Sequence, residues 1–180
     1  PGWCNICRKP TVFFIRHENL REDILCIWCR SANRKRQMMY IFEKNCSGNS
    51  NIRIWNTESR RSFHEMLKKT YGDSYVATEY LGEDIAPGTI IDGIRHEDMC
   101  QISFDSSSLD VIFSSDDLEH IPNPQKALNE ISRVLKAGGR FIFTAPFHIE
   151  SDMNDVMAKK EHNGSIHYIK EPQYHEDPLN

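Results

Sequence analysis

Four of the six cysteines form two Cys-x-x-Cys pairs, Cys4-Asn-Ile-Cys7 and Cys26-Ile-Trp-Cys29, with eighteen residues between them. Each pair can turn two thiolates toward one point, and two pairs complete a tetrahedron. That spacing is the pattern of a structural zinc ribbon. Four sulfurs close the coordination sphere, so such a zinc holds the module together and leaves no position for a substrate. Binding would contribute on the order of 10–16 kcal/mol of apparent folding free energy to a module too small for a large core. A redox pair, or two chance pairs of buried thiols, are the other readings of the same residues. Cys46 and Cys100 stand alone, which does not suit a disulfide framework and points to a reducing, cytoplasmic setting.

The second group of chemically capable residues lies at Ser114-Ser-Asp-Asp-Leu-Glu-His120, directly after the apolar run Leu109–Phe113. A polar, acidic loop at the C-terminal end of a buried strand is where doubly wound sheets bind ligands. A solvated turn or a helix cap is the plainer reading of the same acids. His120 is the best-placed general base in the loop, with Asp117 and Glu119 behind it. The plainer reading of His120 is a structural histidine packed under the loop. His148, past the next strand, is a further histidine that could face an acceptor or simply sit in a loop.

The elements that would position these groups can be read from periodicity. Residues 1–40 read as the ribbon and a connecting helix that starts at Asn33. Lys44–Asn51 reads as a loop. Strands are expected at 52–55, 74–79, 89–94, 109–114 and 140–145, and helices at 59–71 and 123–136. The second helix has Pro124 in its first turn. Its expected buried stripe is Ala127, Leu128, Ile131, Val134 and Leu135, with Gly138 or Gly139 as a left-handed stop. Residues 164–170 suggest a hairpin strand. The order β-α-β-β-α-β with near-continuous apolar strands implies a Rossmann-like, doubly wound α/β fold with a mostly parallel sheet, spanning 41–180.

Composition narrows the classes. A net charge of −4 does not favour general nucleic-acid binding, which needs a basic face. The basic run Arg30-Ser-Ala-Asn-Arg-Lys-Arg36 is the local exception. It reads as a solvated helix start or as a surface for an anionic substrate or partner. No apolar stretch approaches the roughly 18 residues of a membrane span.

The block Ser108–His120, Ile131-Ser-Arg-Val-Leu-Lys-Ala-Gly-Gly-Arg140 and Phe141–Pro146 resembles the second half of a class I S-adenosylmethionine-dependent methyltransferase. It has Ala137 where that family usually has proline. From Cys4 to Phe147 the chain resembles the subset that carries a Cys4 ribbon followed by Ser-x-x-Arg-x-Arg, here Ser31, Arg34 and Arg36. The resemblance implies S-adenosylmethionine as cofactor and structural zinc at Cys4, Cys7, Cys26 and Cys29. It implies Glu79 for the ribose hydroxyls, Asp98 for the adenine amino group and Met99 against the ring. Ser114, Ser115 and Asp116 would line the methionine end. The family's Gly-x-Gly-x-Gly loop is absent. Asn56-Thr-Glu-Ser-Arg-Arg61 stands in its place, with Asn56 and Glu58 as replacement contacts. That departure also counts against a nicotinamide dehydrogenase, which depends on the loop. The family normally has two further strands after the fifth, so a C-terminally truncated domain is expected.

Three functions follow from this reading. One is a methyltransferase acting on a small-molecule or saccharide acceptor. The second is a non-catalytic Rossmann-fold binding module. The third, nucleic-acid methylation through the ribbon, ranks last because the chain is acidic. The oligomeric state is not encoded in any of these residues.

Overall fold

The computed structural model describes residues 1–46, 52–147, 153, 156–161 and 164–171. His148, much of the expected 44–51 loop and the end of the tail lie outside them. The chain divides into two units, Pro1–Ala145 and Pro146–Asn180.

The first unit begins with two short antiparallel hairpins. Strand β1 (Gly2–Cys4) pairs with β2 (Lys9–Thr11), and β3 (Phe13–Ile15) pairs with β4 (Ile24–Cys26). Helix α1 (Asn33–Cys46) follows and runs past the expected loop start at Lys44. Next come β5 (Ile54–Asn56), α2 (Arg61–Tyr71), β6 (Tyr75–Glu79), β7 (Ile90–Ile91), β8 (Ile94–His96), β9 (Leu109–Ser115), α3 (Pro124–Val134) and β10 (Leu135–Thr144). The sheet order is β10-β9-β5-β6-β8-β7, and only β7 is antiparallel to its neighbour. This is the expected mostly parallel α/β sheet.

Alternation along the central strands decides which helix covers which face. Ile54, Val111 and Phe113 join Met38, Met39 and Phe42 of α1 and Phe63 and Leu67 of α2 in one core. Trp55 and Ile112 join Ala127, Ile131 and Val134 of α3 in the other. Helices on both faces make β5 and β9 apolar along nearly their whole length. The polar ends of these strands are therefore the first places where chemistry can appear.

Three expectations need correction. The strand at 89–94 is a hairpin, because Asp92 and Gly93 both take left-handed φ angles (51° and 80°) and turn the chain between β7 and β8. An Asp-Gly pair is the usual two-residue hairpin turn. The helix from Asn123 does not stop at a glycine. Its last carbonyls, on Arg133 and Val134, accept from the backbone N–H groups of Ser107 and Ser108 (2.8 Å each), and Leu135 enters β10 at once beside Leu109. Leu135 thus belongs to the strand, and Leu128 is 40% exposed and lies outside the buried stripe. Gly138 and Gly139 serve an irregularity in β10. A Cβ on Gly139 would lie 2.9 Å from the Lys136 carbonyl oxygen.

In the second unit, β11 (Ala158–Lys160) pairs antiparallel with β12 (Ile166–Tyr168), which agrees with the hairpin expected at 164–170.

Phe113 is fully buried, with Phe42 of α1 at 5.4 Å and Phe63 of α2 at 5.1 Å between ring centroids. Removing a core phenylalanine costs about 3–5 kcal/mol. Phe113→Ala is expected to lower the denaturation midpoint in urea by an amount equivalent to that loss, with the slope of the transition unchanged.

Candidate functional site

The ribbon brings Cys4, Cys7, Cys26 and Cys29 together, with all four sulfurs within 4.8 Å of one another. Four sulfurs about 2.3 Å from a tetrahedral zinc would stand about 3.8 Å apart. The Cys4–Cys29 and Cys7–Cys26 separations are 3.7 and 3.8 Å. Two equivalent turns shape the cluster. The N–H of Arg8 donates to the Cys4 carbonyl (2.8 Å) and that of Arg30 to the Cys26 carbonyl (2.9 Å). Both arginines have left-handed φ angles, 54° and 59°. Each Cys-x-x-Cys pair is thus followed by a strained arginine that folds the backbone back over the sulfurs.

Four thiols this close cannot all ionise without a cation. Burial and the neighbouring thiols push Cys7 up to about 12. Burial also opposes ionisation of Cys26, but N–H groups of Cys29 and Trp28 and the Thr11 hydroxyl outweigh it and lower that thiol to about 6. A divalent metal removes the conflict, so the donor set, spacing and electrostatics fit zinc.

The Ser31, Arg34 and Arg36 set divides its work between the ribbon and the sheet. Ser31 Oγ lies 3.2 Å from Cys29 Sγ and 3.6 Å from Cys4 Sγ. Arg36 donates to the carbonyls of Ser31 and Ile24 and lies over the Phe13 ring at 4.4 Å. Arg34 points the other way, to the ends of the sheet strands.

There the loops after β5, β6 and β9 make a continuous polar belt. Glu79, at the end of β6, accepts from the N–H and the hydroxyl of Ser59 (2.7 and 2.8 Å). Asn56 donates to the Glu58 carbonyl (2.6 Å) and to the Tyr75 hydroxyl (3.0 Å), which also meets His64 Nδ1 (3.0 Å). The Glu58 carboxylate pairs with Lys35 of α1, and its Oε1 is buried with no hydrogen-bond partner. Burial pulls Lys35 below the usual lysine range although Glu58 opposes that shift.

Ser114 donates to Asp117 Oδ2 (2.6 Å), as do Thr57 (2.6 Å) and the Ser115 N–H (3.1 Å). Asp117 therefore ties the loop after β5 to the loop after β9. Asp116 faces the ribbon. It pairs with Arg21 and with Arg34 (3.1 Å) and accepts from Thr144 (2.9 Å), while Arg34 also donates to Ser115. Glu22 completes the group through Arg21 (3.0 Å) and Arg34 (2.6 Å).

Asp98 and His120 border this belt: the His120 N–H donates to the Asp117 carbonyl (3.0 Å), and the N–H of Glu97, next to Asp98, donates to the Glu79 carbonyl (3.1 Å). Asp98 accepts from the Cys100 N–H (2.7 Å) and borders a cavity of about 290 Å³ lined by Gly82–Pro87, His96 and Gln101. Met99 is in the α3-side core beside Trp55 and Phe104. His120 is exposed, at the end of a short 3-10 turn over Leu118–His120.

Sequence reasoning passed over Lys35, Thr57, Ser59, Tyr75 and Arg21 as members of this belt. Lys35, Thr57 and Ser59 lie next to residues singled out in the sequence, whereas Arg21 and Tyr75 do not, and only the tertiary fold shows that the five meet this belt.

Residues 62–143, from α2 to near the end of β10, match the family described as "Methyltransferase domain". Sarcosine/dimethylglycine N-methyltransferase of Aphanothece halophytica is 39% identical over 57 residues, 32% of this chain and 21% of that protein. Sterol 4-C-methyltransferase strm-1 of Caenorhabditis elegans is 36% identical over 72 residues, 39% of this chain and 21% of that protein. The matched stretches span about a fifth of these curated relatives. Among solved structures, the 4+2 cyclase SpnF superposes with a TM-score of 0.49 at 13% identity, covering 83% of this chain and 58% of that one. The stretch from α2 to β10 is thus similar in sequence to that methyltransferase-domain family, and it follows a four-cysteine cluster.

Two predictions follow from this geometry. The purified chain should hold one zinc, released by a mercurial titrant and read with a chromogenic chelator. Cys46→Ser and Cys100→Ser should keep that stoichiometry, and Cys26→Ser should lose it. The second prediction concerns acid. Burial works to raise Asp116, but Arg21, Arg34 and Thr144 outweigh it and hold the carboxyl below the usual range. Its stabilising contribution is therefore complete above the ordinary aspartate range and is lost as pH falls through the depressed value. Burial raises Glu79, against the pull of Ser59, so its charge costs stability above the raised value and costs nothing below the ordinary glutamate range. At neutral pH, Asp116→Asn should be less stable than wild type and Glu79→Gln more stable. Both differences should shrink in chemical denaturation at progressively lower pH.

Proposed function

We propose that this chain carries the cofactor-binding part of an S-adenosylmethionine-dependent methyltransferase acting on a small-molecule or saccharide acceptor, in a reducing cytoplasm. The observation that carries the reading is the methyltransferase-domain match over 62–143 on a parallel sheet whose adjacent strands β5 and β6 lead to Glu58 and Glu79. Glu58 Oε1, a buried acceptor with no partner, is a position that a ligand hydroxyl or ammonium would satisfy.

When bound, the cofactor supplies an electrophilic methyl group on a sulfonium. The chain's own residues bind and orient. Glu79 accepts from the ribose hydroxyls with the carboxylate capacity that Ser59 leaves. Asn56 holds the backbone after β5 in place of a glycine-rich turn, and Glu58 takes a cationic or hydroxyl group above it. Ser114 and Ser115 set the floor near the methionine end, while Asp98 borders the adenine side with Met99 as packing beneath. Asp116, engaged by two arginines, contributes to the field of that end. His120 is the candidate base where an acceptor must lose a proton. Much of the rate would come from alignment of the acceptor behind the methyl group.

The relatives act on sarcosine or dimethylglycine and on a sterol by name, so small molecules are the acceptor class to screen first. Among the described residues, no helix is long and apolar enough to cross a membrane. The loop Asn56–Arg61 contains no glycine, and that observation favours the second reading, a binding module that keeps the fold without the chemistry.

Calorimetric titration of the zinc-loaded chain with S-adenosylmethionine and S-adenosylhomocysteine tests the proposal. Micromolar binding is expected. Glu79→Ala should weaken it about tenfold or more, the equivalent of one hydrogen bond to a charged group. Absence of binding by the folded, zinc-loaded, full-length protein sinks the methyltransferase reading and leaves the binding module.

A further inference from the structure

We propose that the ribbon takes over the work of the missing glycine-rich loop, with Arg21, Arg34 and Lys35 as positioning residues that hold the two cofactor-side loops in shape when zinc is bound. Three features of the first unit support this. The loop after β5 lacks the glycines that let a backbone fold close to a ligand, yet it is held. Lys35, 7% exposed, reaches the Glu58 carboxylate from α1.

The loop after β9 turns at Asp116, which has a left-handed φ of 62°. A non-glycine residue keeps such a conformation only where its surroundings over-determine it. Here Arg21, Arg34 and Thr144 converge on its carboxylate, and its own N–H donates to the Thr144 carbonyl (3.0 Å). Two of those three side chains come from the ribbon and the start of α1.

Finally, Arg34 and Lys35 lie between Ser31, which touches the cysteine sulfurs, and Arg36, which holds the Ser31 and Ile24 carbonyls. Arg21 lies in the segment between β3 and β4, and β4 ends at Cys26. The four charges of Arg21, Glu22, Arg34 and Asp116 balance, so the group is a clasp with no spare cation for an outside anion. When zinc leaves, the cysteine turns lose their common anchor, and Arg21, Arg34 and Lys35 lose the framework that aims them at Asp116 and Glu58. The coupling runs both ways, because linkage between two sites is reciprocal.

Hydrogen–deuterium exchange of the whole chain tests this without any cofactor. In zinc-loaded Arg34→Gln, peptides over 113–118 should exchange faster while 56–60 keeps its protection. In zinc-loaded Lys35→Met the pattern should reverse. Zinc removal by chelation should loosen both segments while 109–112 stays protected. Unchanged protection at 56–60 and 113–118 in a chain whose ribbon has lost its own protection overturns the proposal. If zinc removal unfolds the whole first unit, the two zinc-loaded variants decide, and unchanged protection in both overturns it. A second arm rests on the cofactor reading. Arg34→Gln should weaken S-adenosylhomocysteine binding about tenfold, and Arg34→Lys should weaken it less. No binding even by the full-length wild type would remove the methyltransferase reading, while the exchange pattern would still decide the positioning role.

Discussion

Helix α1 is the constraint on which the rest depends, because it must fit two neighbours at once. Its first turns carry Arg34, Lys35 and Arg36, all engaged in charge-assisted contacts. Its later turns carry Met38, Met39 and Phe42, which pack against β9 and α2. A rotation that improved one set would spoil the other, since side chains three and four residues apart share a face. The cysteine cluster on one side and Phe113 on the other therefore fix a single orientation. The basic run is neither a solvated helix start nor a free anion-binding surface. Its three cations are divided among the ribbon backbone, the loop after β5 and the loop after β9.

Much of the fold was legible because burial leaves a periodic trace. Strands β5 and β9 are covered on both faces, so they read as apolar runs. Helix α3 announces itself through Asn123, whose side chain accepts from the Lys126 N–H, and Pro124 just after it. The cysteine quartet was legible from spacing alone. The failures share one cause, which is that a local signal was read without its tertiary partner. Gly138-Gly139 resembles a helix stop, but the carbonyls that a glycine turn would satisfy already take N–H groups from Ser107 and Ser108. Leu128 fits the stripe by number, yet its side of α3 faces outward. The Asp92-Gly93 turn was visible in the residues and was absorbed into a longer apolar run.

The site was legible in a different way. The family resemblance pointed to Glu79, Ser114 and Asp116, and the structure places all three at the ends of β6 and β9, at the same end of the parallel sheet. The partners were not legible. Tyr75 sits at the start of β6, and only the parallel pairing of β5 with β6 places its hydroxyl on Asn56 and His64. Asp117 reads as one more acid in a loop, yet it accepts from three donors, one on the loop after β5 and two at the end of β9. A sequence lists such acids as equals, whereas geometry separates Asp117, turned toward the sheet, from Asp116, turned toward the ribbon.

That separation bears on how a chain without a glycine-rich turn could present a cofactor site. Glycine lets backbone approach a ligand because it has no side chain to clear and tolerates left-handed φ. This chain uses left-handed non-glycine residues instead, at Arg61 (φ 67°) after the first loop and at Asp116 (φ 62°) after β9. Such conformations cost on the order of 1–3 kcal/mol each. Charge-assisted hydrogen bonds contribute about 1.5–3 kcal/mol each when well made, so the contacts that converge on Asp116 are of the right size to offset its strain. Glycine loops carry their geometry locally, within a few residues. The turn at Asp116 is stable only while Arg21 and Arg34 are delivered from a separate module, which makes the shape of that end of the sheet a property of the whole first unit.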